Sequence, residues 1–197
     1  MPADEPGPQQ LVLASGSARR RDLLQQMGIE PAIIDPPHID ERPQRGELPV
    51  AYARRMAVAK LGAIASRHRG TWVLAADTVV ACGRRILPKA ETEQQARDCL
   101  ALLSGRRHRV LGGIAIAAPD GRSAERVVTT AVAFKRLTEQ EIDAYIATGD
   151  WHGKAGGYAI QGRAASLIPW INGSYGNVVG LSLSDTVAML TGLGWRA

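Results

Sequence analysis

The feature that most constrains this chain is the run Leu11–Gly28, LVLASGSARRRDLLQQMG. Leu11–Ala14 is apolar and short enough to be a buried strand, and Ser15, Gly16 and Ser17 break it at once. The next residues put Leu23, Leu24 and Met27 on one face of a helix that Gly28 stops. A strand, a tight turn and a helix in so few residues commit the start of the chain to an α/β arrangement. Arg19, Arg20 and Arg21 fall in the first helical turn, where free N–H groups and the positive end of the helix dipole disfavour basic side chains. An anion docked there, phosphate first among candidates, removes the conflict. A solvated arginine face is the alternative reading of the same residues.

The 197 residues suit one domain, or two small lobes around a cleft. With a single Phe, the core must be built from Leu, Val, Ile and Ala. A net charge of +5 fits an anionic partner. The basic residues are scattered and no aromatic side chains interleave with them, which argues against a nucleic-acid platform. Cys82 and Cys99 form no C-x-x-C pair, and the four histidines have no zinc-ligand spacing. Free thiols in a reducing cytoplasm are therefore expected. The polar, Pro-rich residues 1–10 read as a disordered lead-in and not a signal peptide, leaving 11–197 as a single domain. No apolar run approaches the roughly 18 residues of a membrane span.

Further along, a short strand precedes a Pro-rich loop carrying Asp40 and Glu41, and Ala51–Ser66 reads as an Ala-rich helix. Thr71–Ala76 is a buried strand ending at Asp77, with Val79–Ala81 continuing the extended pattern. Thr92 with Gln95 and Thr138 with Glu141 are capping boxes that open helices running to Leu103 and Thr148. Arg109–Ala117 and Glu125–Phe134 form a long hairpin around Pro119–Gly121. Strand-like pieces flank Asn172–Gly173–Ser174, and a last helix covers Asp185–Leu190. Early strand–helix alternation followed by a hairpin predicts α/β with a mixed sheet.

The phosphate-binding loop G-x-x-x-x-G-K-[ST], the dinucleotide fingerprint and the G-x-S-x-G elbow are all absent. What remains is a set of cations, Arg19, Arg20, Lys60, Lys89 and Lys154, with two carboxylates, Glu41 and Asp77. Asp77 closes the apolar strand, and strand ends are where α/β proteins place ligands. A turn-capping role is the alternative. Asp77 and Glu41 together can hold a divalent cation if substrate phosphates supply the remaining oxygens. Lys60, in an Ala-rich helix, reads as surface by default.

Taken together, ASGSARRRDLL, AVAK, AADTVV, LPKAETEQQA, LLSGRRHRV, GKAGGYAIQG and NGSYGNVVGL resemble, in order, the motifs of the Maf family of nucleoside triphosphate pyrophosphatases. The resemblance spans residues 11–190. It implies an elongated mixed sheet flanked by helices, with two lobes around a cleft, similar to inosine triphosphatase-like folds. It implies Mg²⁺- or Mn²⁺-dependent cleavage of a nucleoside triphosphate to the monophosphate and pyrophosphate. By position it assigns Asp77 to catalysis, Ser15, Arg20, Lys60 and Lys89 to phosphate binding, and Glu41 with Asp77 to the metal. Arg19, Thr78 and Gln161 match the dTTP/UTP branch and not the 7-methyl-GTP branch. A homodimer is a family-level expectation. The competing reading is a regulatory nucleotide-binding protein acting in septum control without turnover. The chain departs from the pattern at Ala18, Ala90, Gly112, Gly153 and Ser182.

Overall fold

The computed structural model describes residues 9–196. The lead-in expected over 1–10 therefore lies, for residues 1–8, outside the described residues. The chain opens with β1 (Leu11–Ala14), α1 (Ala18–Gln25) and β2 (Ile33–Ile34). After α2 (Pro49–Ala65) come β3 (Trp72–Cys82), β4 (Arg85–Leu87) and β5 (Lys89–Ala90). Next are α3 (Glu93–Leu103), the hairpin β6 (Arg107–Ala117) and β7 (Ser123–Ala133), and α4 (Glu139–Ile146). Last come β8 (Lys154–Ala155), a 3-10 turn (Arg163–Leu167), β9 (Trp170–Asn172), α5 (Tyr175–Val179) and α6 (Leu183–Leu193).

The main sheet has the order β2-β1-β3-β6-β7-β9, with β4 sharing one edge of β3. β2, β1 and β3 are parallel, and every other pairing is antiparallel. This is the mixed sheet expected from the sequence. Alternation along the strands sorts the apolar side chains to two faces. Leu11, Leu13, Trp72, Leu74 and Ala76 pack with Leu23 and Leu24 of α1 and Met189, Leu190 and Leu193 of α6. Val12, Ala14, Val73 and Ala75 pack on Ala57, Leu61 and Ile64 of α2. Beyond the middle of β3, Val80, Val110 and Val132 join Leu100 and Leu103 of α3 and Tyr145 of α4.

Close approach fixes two glycines in β6. A Cβ on Gly113 would lie 2.2 Å from the carbonyl oxygen of Ala53, so α2 can seat on the sheet only with glycine there. A Cβ on Gly112 would lie 1.9 Å from Oδ1 of Asn177, whose fully buried amide reaches the Val110 and Val128 carbonyls.

The functional consequence of the topology lies on the edge of β3. β1 covers it from Trp72 to Ala75, and β4 covers it from Val80 to Cys82. Between them, Ala76–Val79 have no strand on this edge among the described residues. β1 ends in the Ser15–Ser17 turn, and Pro88 lacks the N–H needed to prolong β4. The chain parts on either side of this gap and leaves a cleft.

Four expectations change. Asp77 is in the interior of β3, not at its end, because β4 extends the pairing past it. Met27 is 41% exposed, because α1 stops at Gln25 and the chain turns away at Gly28. Asn172–Ser174 joins a strand to α5 and not to a second strand, with the Ser174 hydroxyl capping the Asn177 N–H. The last helix starts at Leu183 and runs to Leu193, longer at both ends than the expected Asp185–Leu190.

His108 is 3% exposed, with Nε2 2.8 Å from the Tyr158 hydroxyl and Nδ1 without a partner among the described residues. Burial pushes its pKa down from 6.5 to about 4. Below pH 6.5 the unfolded chain takes up a proton that the folded chain refuses, so stability falls as pH drops towards 4. The full loss is about 3 kcal/mol. Urea unfolding at pH 7 and pH 4 should show this loss in the wild type and a smaller one in His108→Gln. Equal losses would refute a neutral buried imidazole.

Candidate active site

A cleft of about 420 Å³ opens at the gap in β3. One wall is the turn after β1 and the start of α1, Ser15–Arg20, together with Val178–Gly180. The other is β8 with Tyr158, Ala159 and Gln161, and Pro36 and Pro37 stand at the side. Every site residue named from the sequence lines this cleft: Ser15, Arg19, Arg20, Glu41, Lys60, Asp77, Thr78, Lys89 and Gln161.

Asp77 and Thr78 are consecutive on one strand and so face opposite sides of the sheet. Asp77 faces α2. Its Oδ1 accepts from Lys60 Nζ at 2.6 Å, with both side chains nearly out of solvent. Lys60 lies on the buried stripe of α2, in phase with Tyr52, Ala53, Met56, Leu61 and Ile64. Its ammonium also meets Glu41 Oε1 at 2.8 Å, and Glu41 Oε2 meets Lys89 Nζ at 2.5 Å. Burial would raise the Glu41 carboxyl, but hydrogen bonds and charge from the two lysines outweigh it and leave the pKa below the usual value.

Thr78 faces α1. Arg20 is 8% exposed and is held at three points: Nε donates to the Gly180 carbonyl at 2.9 Å, one Nη to Ser15 Oγ at 2.8 Å and the other to Thr78 Oγ1 at 3.0 Å. A guanidinium has five N–H groups, so two remain. Burial lowers the Arg20 pKa, against the pull of Asp77 and Glu41 and with the repulsion of Arg19. Arg19 donates to the Val179 carbonyl at 3.1 Å, and burial lowers its pKa too. Lys89 and Lys154 sit on the two-stranded ladder β5–β8 across the cleft. Gly156 seats that ladder: its φ is +67°, and a Cβ there would lie 2.7 Å from Val80 Cγ1.

Five cations thus surround two carboxylates, a balance suited to a polyanion. Among the described residues no three His, Cys, Asp or Glu side chains gather as a metal cage. The donor set nevertheless fits a hard cation shared with a phosphate chain, since such an ion needs only one or two protein carboxylates. The hydrogen bond to Asp77 uses Oδ1 and leaves Oδ2 open.

Sequence reasoning missed the backbone carbonyls of Val179 and Gly180, which hold the arginines, and it missed Tyr52 beside Glu41. The carbonyls have no side-chain signature. Tyr52 and Lys60 did have one, since both lie on the apolar stripe of α2.

A family model described as "Maf-like protein" matches residues 10–193. A dTTP/UTP pyrophosphatase of Paramagnetospirillum magneticum is 64% identical over 94% of this chain and 97% of its own. One from Rhodospirillum rubrum is 59% identical over 94% and 89%, and one from Caulobacter vibrioides 57% over 94% and 96%. Among solved structures, a HAM1 protein from Coxiella burnetii aligns at 16% identity and TM-score 0.49 over 94% of this chain and 100% of that one.

Removing one partner of a buried ion pair leaves the other charge uncompensated, at a cost of about 3–5 kcal/mol. Lys60→Met should therefore lower unfolding stability by about 3 kcal/mol, and adding Asp77→Asn should recover part of it. Additive losses in urea unfolding would show that the two charges do not depend on each other.

Proposed function

The chain belongs to the Maf family, and from that premise we propose that it hydrolyses dTTP and UTP to the nucleoside monophosphate and pyrophosphate. The observation that carries this reading is the ring of cations around Asp77 and Glu41 at the gap in β3. The cleft volume of about 420 Å³ is in the range of small-molecule sites.

The triphosphate lies along Ser15, Arg20, Lys60 and Lys89, where the remaining N–H groups of Arg20 and the lysine ammoniums meet its oxygens. These contacts reduce the negative charge that shields the α-phosphorus and oppose charge build-up as the anhydride breaks. A water attacks the α-phosphorus, and the bond to the α–β bridging oxygen breaks, so pyrophosphate leaves. Asp77 orients that water and accepts its proton through Oδ2, while Lys60 holds Oδ1 in place. Glu41 and Asp77 would hold a divalent cation, Mg²⁺ or Mn²⁺, which supplies further charge neutralisation at the phosphates when bound. Gln161 offers both a donor and an acceptor to the imide edge of uracil or thymine. Arg19 and Thr78 line the same cleft, with the Thr78 hydroxyl also anchoring Arg20. Free thiols at Cys82 and Cys99 fit a reducing compartment such as the cytoplasm.

Incubation with dTTP or UTP and Mg²⁺ should release pyrophosphate, and Asp77→Asn should abolish the release while remaining folded. Orthophosphate as the product, or near-wild-type turnover in Asp77→Asn, would overturn the mechanism. Gln161→Glu removes a donor and adds a charge, so kcat/KM for UTP and dTTP should fall by about tenfold or more relative to 7-methyl-GTP. An equal fall for all three nucleotides would remove Gln161 as a base reader.

A further inference from the structure

Glu41 sits on residues 35–48, which contain a single turn and no helix or strand. Its carboxylate nevertheless bridges two lysines. We propose that Tyr52 and Arg55 of α2 are positioning residues that fix the main chain around Glu41 and so set its carboxylate in the active site. The inference rests on the role given to Glu41 above.

The Tyr52 hydroxyl donates to the carbonyl of Glu41 at 2.6 Å. Arg55 Nη2 donates to the next carbonyl, that of Arg42, at 3.1 Å. The same guanidinium grips Glu47 through Nε and Nη2, each at 2.7 Å, and the Glu47 side chain is 8% exposed. Glu47 in turn accepts from the Gln44 N–H at 2.9 Å, closing the loop on itself. The loop is therefore fastened to α2 on both sides of Pro43. α2 also carries Lys60, eight residues beyond Tyr52 and about 12 Å along the axis. One rigid helix thus holds both the Glu41 backbone and the ammonium that its carboxylate meets. The Tyr52 ring packs with Met56, Val79 and Leu111, so its placement does not depend on the hydroxyl.

Tyr52→Phe keeps the ring and removes one hydrogen bond, and Arg55→Lys keeps the charge and removes the fork. Amide hydrogen exchange and steady-state kinetics on the full chain test both. Exchange over residues 38–47 should rise in each variant while residues 56–64 of α2 stay protected. For Tyr52→Phe, kcat should fall about tenfold with KM changed by less than about twofold. In a Glu41→Gln background the same substitution should cost nothing further, since the carboxylate to be positioned is gone. Unchanged exchange in the loop, or a loss of equal size in the Glu41→Gln background, would overturn the proposal. Wild-type kcat in Glu41→Gln alone would instead overturn the role given to Glu41, and loop exchange would still decide whether Tyr52 and Arg55 anchor it.

Discussion

The arrangement depends on one ammonium group. Lys60 stands between Asp77 and Glu41, within 2.6 and 2.8 Å of each, and its side chain is 7% exposed. A charge in such surroundings is tolerated only with close partners. The lysine therefore ties together three distant parts of the chain: the middle of β3, helix α2, and an irregular loop. Without it the two carboxylates would repel each other across the floor of the cleft. With it both carboxylates line the cleft, and the two lysines on Glu41 hold its carboxyl below the usual value.

That position is available because the sheet is incomplete at one place. A strand paired along both edges has its backbone groups satisfied by neighbours and leaves no room for a ligand between them. β3 is paired without a break from Val73 to Ala81 along one edge by β6, but along the other by two separate strands with a gap between them. At the gap, alternation sends Asp77 to the α2 side and Thr78 to the α1 side. Two groups from opposite faces of the sheet thereby meet in one cleft. The anionic side of the site is organised by α2, and the cationic side by α1 with Val179 and Gly180.

Arg20 shows how the cationic side is kept in place. Its burial disfavours the guanidinium, and Asp77 and Glu41 offset part of that cost. Its three neutral acceptors fix the fork geometry without neutralising it. The charge stays available for an anion, and the entropy of ordering the side chain is lost on folding and not on binding.

The sequence by itself determined most of the longer elements, their order and the residues proposed for the site. Local signals sufficed for these: the four-residue apolar run before Ser15, the two capping boxes, the turn at Pro119–Gly121, and the ordered motifs from ASGSARRRDLL to NGSYGNVVGL. Tertiary structure alone decided how those residues are brought together. Asp77 looked like a strand end because WVLAA is followed by polar residues, yet β4 pairs beyond it and makes it the centre of a gap. Lys60 looked exposed because alanines surround it, yet it lies on the buried stripe of its helix, opposite a carboxylate 17 residues away. The anchors of Arg19, Arg20 and Glu41 are backbone carbonyls and side chains from elsewhere in the chain. Backbone groups are the same at every residue, and a contact across 160 positions leaves no local trace. Such contacts exist only once the strands have chosen their partners.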